Sequence, residues 1–233
     1  MKLLSIIPAR SGSKGIPRKN LAVVGGRPLI ALSIEIGKKF VSSGTIDRCI
    51  VSTDDTEIAE IAKMYGADVP FMRPAEAATD CAKALAYVEH ALDILEDKGE
   101  FYDAVMILQP TSPLRDTNIF NEAILRFKGG NADSMISCYQ EDYINELVMY
   151  DKLTDNMLKP RSKDHNKGVR RQEHGPVMVR NGALYITRVS YLRSTKQLVC
   201  DQPMLLEMKK IDSIDVDTQE DLDLLRRFFK QPN

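Results

Sequence analysis

Four cations, Arg10, Lys14, Arg18 and Lys19, fall within ten residues in the run Pro8-Ala9-Arg10-Ser11-Gly12-Ser13-Lys14-Gly15-Ile16-Pro17-Arg18-Lys19-Asn20. Two glycines and two serines in the same run free the backbone to curl with its N–H groups pointing inward. That combination suits a triphosphate, whose negative charge must be neutralised as it reacts. The run follows directly on the apolar stretch Leu3–Ile7, which favours phosphate binding over a solvated basic turn. It is neither GxxxxGK[ST] nor GxGxxG, so it is not a Walker loop, and a dehydrogenase is disfavoured.

Near the other end, Ser213-Ile214-Asp215-Val216-Asp217 spaces two carboxylates by one residue. In an extended segment both point to one face. There they repel unless a cation lies between them, and Mg²⁺ prefers such hard oxygen ligands. Asp217 could instead cap a following helix, and the residues alone leave these readings level. Asp54 and Asp55 form a weaker second pair, in which Asp55 is also placed to cap a helix.

Such groups need a scaffold, and the apolar pattern supplies one. Leu3–Ile7, Arg48–Ser52, Ala104–Leu108, Ser134–Ser137 and Ala183–Thr187 read as strands, with Ile211–Val216 as a strand and its exit. Pro28–Phe40, Thr56–Tyr65, Ala82–Leu95, Ile119–Phe127 and Thr218–Phe229 read as helices. Gly66 serves as a C-cap, and Thr218 with Asp221 as a capping box. Alternating strands and helices predict an α/β fold: three layers, a mainly parallel twisted sheet with helices on both faces. Ligands in such sheets sit beyond the carboxyl ends of the strands, which gives weight to the loops after Ile7, Ser52 and Leu108. Residues 139–180 are polar and weakly periodic, with Arg170 and Arg171 among their cations, and read as an excursion from a single domain spanning 1–233.

Bulk composition bounds the partners. The 233 residues carry 32 Lys plus Arg against 33 Asp plus Glu, a balance that asks for no nucleic-acid or membrane-surface partner. No apolar run approaches the length of a membrane span. Cys49, Cys81, Cys138 and Cys200 lack CxxC spacing and read as free thiols of a reducing cytoplasm. His90, His165 and His174 have no metal-site spacing, and His90 reads as structural.

Five strings together resemble the sugar nucleotidyltransferases, and among them the acylneuraminate cytidylyltransferases. They are Arg10–Asn20, Val51–Asp55, Leu108-Gln109-Pro110-Thr111-Ser112-Pro113-Leu114-Arg115, Asn181–Ile186 and Ser213–Asp217, in order from residue 3 to about 225. The resemblance implies a Rossmann-like nucleotidyltransferase fold. It also implies transfer of CMP from CTP to the anomeric hydroxyl of an acidic nine-carbon sugar of the sialic-acid type, with release of pyrophosphate. It places Arg10 and Lys19 on the triphosphate, as a forked guanidinium and a point ammonium suit. Ala9, Ser11, Gly12, Ser13, Asn20 and Arg73 fall with them on the nucleotide. Gln109, Arg171 and Asn181 fall on the sugar, an Arg fork being the natural partner of its carboxylate. Asp215 and Asp217 become ligands of Mg²⁺, and Arg10, Lys19 and Asp217 the catalytic set. Arg18 is expected in solvent, and Arg115 is either at a helix start or structural. Residues 139–180 become a dimerisation and substrate-lid region of a homodimer.

Two departures bear on the sugar. The segment after the fourth strand reads Gln140-Glu141-Asp142-Tyr143-Ile144-Asn145-Glu146-Leu147, without the family's His-Pro pair and lysine, and Ala84 stands where a serine often contacts nucleotide. Legionaminic, pseudaminic or 3-deoxy-manno-octulosonic acid are therefore alternative acceptors. A non-catalytic nucleotide-binding module is the reading from another class; Lys19, Asp215 and Asp217 together argue against it, since a binder needs no metal pair.

Overall fold

Every residue of the first apolar run except its last is fully withdrawn from water, so it forms an inner strand, β1 (Leu3–Pro8). A computed structural model describes the chain except for residues 13–14, 78–83, 143, 145, 168–174 and 230–233. The further strands are β2 (Val23–Val24), β3 (Arg27–Pro28), β4 (Arg48–Ser52), β5 (Ala104–Ile107), β6 (Ser134–Glu141), β7 (Tyr150–Thr154), β8 (Met157–Pro160), β9 (Val177–Arg188) and β10 (Met204–Met208). The helices are α1 (Leu29–Ser42), α2 (Thr56–Met64), α3 (Ala84–Asp97), α4 (Thr117–Gly129), α5 (Val189–Thr195) and α6 (Gln219–Phe228).

The main sheet runs β10-β6-β9-β5-β1-β4. β1 lies parallel to β4 and β5, and β10 parallel to β6, while β9 alone runs antiparallel to its neighbours. On one face α1, α2 and α4 bury Ile30, Ile34, Phe40, Ile58 and Phe120 against Ile7, Val51 and Met106. On the other, α3 and α5 bury Val88, Leu92 and Leu192 against Ile6, Ile50 and Val105. This is the three-layer arrangement expected. A third cluster, Ile16, Leu29, Val216, Leu222 and Leu225, joins the first loop, the acidic segment and α6.

Local chemistry sets the element ends. Asp55 accepts the Ile58 amide at 3.0 Å to start α2, and Asp116 accepts the Asn118 amide at 2.8 Å to start α4. Thr218 and Asp221 form the capping box of α6. Gly66, at φ +80°, takes the left-handed turn after α2.

One expected strand is corrected. Residues 211–216 are not in the sheet; the strand there is β10, and a short 3-10 turn, Lys210–Asp212, separates it from Ser213–Asp217. The acidic segment gives its Val216 amide to the Thr111 carbonyl (2.8 Å) and not to a ladder. The polar excursion contains the hairpin β7–β8, with Tyr150–Thr154 and Met157–Leu158 exposed. Among the described residues no helix is long and apolar enough to cross a membrane.

Candidate active site

The cationic run leaves the carboxyl end of β1, and its neighbours pin it to that end. Ala9 donates its amide to the Ser52 carbonyl at 3.0 Å, continuing the β1–β4 contact one residue past the strand. Ser11 gives both its amide (3.0 Å) and its hydroxyl (2.6 Å) to the Asp54 carboxylate. Asn20 is buried, and its amide donates to the Arg10 carbonyl at 3.0 Å, which closes the loop. Among the described residues a Cβ at Gly12 would meet nothing within 4 Å, so the loop is open at that point. Arg18, expected in solvent, is half exposed and pairs with Glu57 on α2 at 2.6 Å.

The two ends of the chain meet here. Lys19 Nζ donates to Asp217 Oδ1 and to the Val216 carbonyl, both at 2.7 Å. Lys19 is largely buried, whereas Asp217 is 70 % exposed and therefore free to exchange partners. Between the two aspartates Val216 is fully buried, so the carboxylates share the outward side, as the alternation predicts. Asp217 does not cap α6; Thr218 does. Asp215 reaches solvent, yet loss of water raises its carboxyl above the ordinary range, and the charge of Asp217 adds to this. Hydrogen bonds from Thr111 and Ser112 and the Lys19 charge oppose that rise.

The third strand end adds a polar shelf. Gln109 follows β5, and a Cβ on Gly182 would stand 2.8 Å from its Oε1, so a glycine there leaves the amide room. Ser112 Oγ lies 3.1 Å from the Asn181 carbonyl and 3.5 Å from Asp215 Oδ1. Asn181 itself is buried among Ser137, Ser213 and Met208.

Arg73 is buried over the Tyr87 ring, 4.7 Å from its centroid, and donates to the Ser52 hydroxyl (3.0 Å) and carbonyl. Burial lowers its pKa; Tyr87 and Asp54 counter this and Arg10 adds to it, so the four groups form one electrostatic neighbourhood. Arg115 is structural: its guanidinium is buried and donates to the carbonyls of Ala183 (3.0 Å) and Gln109 (2.6 Å) and to the Ser33 hydroxyl (3.0 Å). His90, also structural, packs edge-on against Phe71 at 5.0 Å between centroids. Ser13 and Arg171 lie outside the described residues.

Among the described residues no group of three or more His, Cys, Asp or Glu side chains gathers as a metal site. Asp215 and Asp217 offer two hard oxygen donors on one open face. That fits an ion of the Mg²⁺ type, which keeps waters and binds substrate phosphates through one or two carboxylates. Asp54, the weaker candidate, is occupied by Ser11. Sequence reasoning singled out Asp54 as a carboxylate and not as a loop anchor, and gave no part to Ser112 and Ser213, whose only signal was membership of the strings that carry the resemblance.

A family model described as cytidylyltransferase matches residues 4–231. The chain is 32% identical to the pseudaminic acid cytidylyltransferase of Campylobacter jejuni subsp. jejuni serotype O:23/36 (strain 81-176), over 99% of this chain and 97% of that one. It is 33% identical to the N-acylneuraminate cytidylyltransferase of Escherichia coli O18:K1:H7 (strain RS218 / NMEC), over 96% of this chain but 51% of that longer one. The fold matches CMP:2-keto-3-deoxy-manno-octonic acid synthetase complexed with CTP, at TM-score 0.70, 18% identity and 98% of both chains.

Proposed function

The chain belongs to the cytidylyltransferase family, and from that premise we propose that it transfers CMP from CTP to the anomeric hydroxyl of a nine-carbon ulosonic acid of the sialic-acid type, releasing pyrophosphate. The observation that carries this is the 2.7 Å contact between Lys19 and Asp217, which joins the cationic loop to the acidic segment at the carboxyl ends of the strands. Among acids of this type the pseudaminic and legionaminic kind form a second reading. The pseudaminic acid relative matches over almost its whole length, and the segment 140–147 lacks the family's lysine.

The hydroxyl oxygen bonds to the α-phosphorus as the bond from that phosphorus to the pyrophosphate oxygen breaks, and the hydroxyl proton passes to water. Catalysis of such a step is mostly positioning and charge stabilisation. In this reading Arg10, Lys19 and the loop amides hold the triphosphate, and Lys19 stabilises charge as pyrophosphate leaves. Ser11, held by Asp54, fixes the loop before substrate arrives. Asp215 and Asp217 hold Mg²⁺, which when bound polarises phosphate oxygens and eases loss of the hydroxyl proton. Gln109 donates to the sugar, and Arg171 is assigned to its carboxylate by the resemblance alone. The protein works as a homodimer in the cytoplasm, a reading supported by the exposed hairpin and by the unpaired Cys49, Cys138 and Cys200.

The test is incubation with CTP, Mg²⁺ and a panel of ulosonic acids, read by mass spectrometry of CMP-sugars and by pyrophosphate release. A nine-carbon product is expected; turnover with the eight-carbon acid alone would overturn the acceptor. Chelation should abolish the activity and Mg²⁺ restore it.

A further inference from the structure

Resting on the reading that Asp215 and Asp217 hold the metal, we propose that Asn181 is a positioning residue which aims the Asp215 carboxylate through Ser213 and Ser112. A side-chain amide has two N–H donors and an oxygen with two lone pairs. In Asn181 all are committed inside the protein. Oδ1 accepts from Ser137 Oγ at 2.6 Å and from the Ala183 amide at 3.3 Å. Nδ2 donates to Ser213 Oγ at 2.8 Å and faces Met208 Sδ at 3.2 Å. With the residue 6 % exposed, this amide has no capacity left for a sugar or a nucleotide.

The backbone is built to hold it there. Ile136 pairs with Tyr185 but Cys138 pairs with Arg180, so residues 181–184 bulge out of the β6–β9 ladder. Gly182, at φ +76°, turns the chain at the bulge, and the freed Leu184 amide is taken by Ser137 Oγ at 2.8 Å. A bulge of this kind beside a site re-aims a side chain.

The side-chain amide reaches the Asp215 segment through Ser213, and the main-chain carbonyl of the same residue reaches it through Ser112. Ser213, two residues earlier, at the end of the 3-10 turn, is clamped between Asn181 Nδ2 and the Lys209 carbonyl (2.9 Å). Ser112 spans the Asn181 carbonyl and Asp215 Oδ1. Asp217 is held separately, by Lys19 and by its own amide on Asp221 at 3.1 Å. Disturbing Asn181 therefore moves one carboxylate and leaves the other, and the metal loses one of two protein ligands.

The experiment measures Mn²⁺ affinity by electron paramagnetic resonance, with CTP present and sugar absent, for the wild type, Asn181→Ala, Ser213→Ala and the double variant. Kinetics over a Mg²⁺ titration accompany it. Loss of a partner outside the ligand shell weakens metal binding about 10- to 100-fold. Both single variants should show this, with the KM for the sugar unchanged. The double variant should be no worse than the poorer single one, because the two residues form one unit. Ser213→Thr, which keeps the hydroxyl, should restore binding. If Asn181→Ala does not fold, Ser213→Ala decides alone, since it keeps the Ser137 half of the network. Wild-type Mn²⁺ affinity with a raised sugar KM would make Asn181 a substrate contact and overturn the proposal. A wild type that binds CTP but no Mn²⁺ would overturn the metal reading, and this proposal with it.

Discussion

A Cβ at Gly15 would stand 2.1 Å from the Asp217 carbonyl oxygen, so the loop can lie against the acidic segment only with glycine there. Gly15→Ala should push the two apart and cost about 1–3 kcal/mol, the usual range for overpacking. Turnover should fall with it. Gly12→Ala is the contrast: with open space around it, the melting temperature should stay while CTP affinity falls. Equal losses of stability in both variants, by thermal melting, would refute this account of Gly15. Asp215 supports a second argument. Its carboxyl is raised in the folded state, so folding favours its protonated form. The stability tied to that proton is present below the ordinary carboxylate range and lost as pH rises through the raised value. At neutral pH the charge therefore opposes folding. Asp215→Asn should melt at or above the wild-type temperature at neutral pH, with the difference vanishing in acid, while activity is lost. A variant that melts lower at neutral pH would show that the charge is not a strained one. Such a group, kept against its own stability, is expected of a ligand waiting for a cation.

At the scale of elements, Arg115 connects the exit of β5, the first turns of α1 and the bulge of β9. Each buried acceptor stripped of its donor costs about 1–3 kcal/mol, so Arg115→Ala should lose about 3 kcal/mol or more. In a chain of this size that lowers the melting temperature by about 6 °C or more. A change within about 0.5 kcal/mol, as at an ordinary surface site, would contradict the role. The inner strands and main helices were legible because each carries a clear physical mark. β1 and β5 are short runs buried on both faces, β4 at the sheet edge is buried at Ile50, Val51 and Ser52, and α2, α4 and α6 begin on Asp or Thr caps. What escaped lacks such marks. β10 is five residues with an exposed Glu207, and the alternation of Ile214 and Val216 beyond it imitates a strand. α5 buries only Leu192. In the site, charge made Lys19, Asp215 and Asp217 stand out in the sequence. Ser112, Ser213 and Asp54 did not, because a hydroxyl or a loop anchor has meaning only beside its partner, and here the partners lie far along the chain.

At the scale of the molecule, the sheet and its helix layers bury three apolar clusters, and no described residue of the excursion belongs to them. Val148 just before the hairpin and Tyr150, Leu153, Met157 and Leu158 on its two strands are all exposed, with no core of their own among the described residues. Two strands alone are marginal in water. The ties found within the hairpin region are polar and exposed, such as Arg161 with Asp151 at 2.8 Å and Tyr150 with His165 at 3.1 Å. Exposed ion pairs of this kind contribute about 0–1 kcal/mol, too little to order an arm against its entropy. Apolar cover from a second copy of the chain would supply what is missing, and would suit the homodimer proposed above. Each monomer carries nearly balanced charge, so long-range repulsion does not oppose association. The double substitution Leu153→Asp with Leu158→Asp should therefore convert a dimer to a monomer by light scattering after gel filtration. Its circular dichroism should stay close to wild type, because neither side chain belongs to the core. If the arm also closes the sugar site, the KM for the acidic sugar should rise in that monomer while CTP affinity holds. A wild type that runs as a monomer at micromolar concentration would refute the role given to the hairpin.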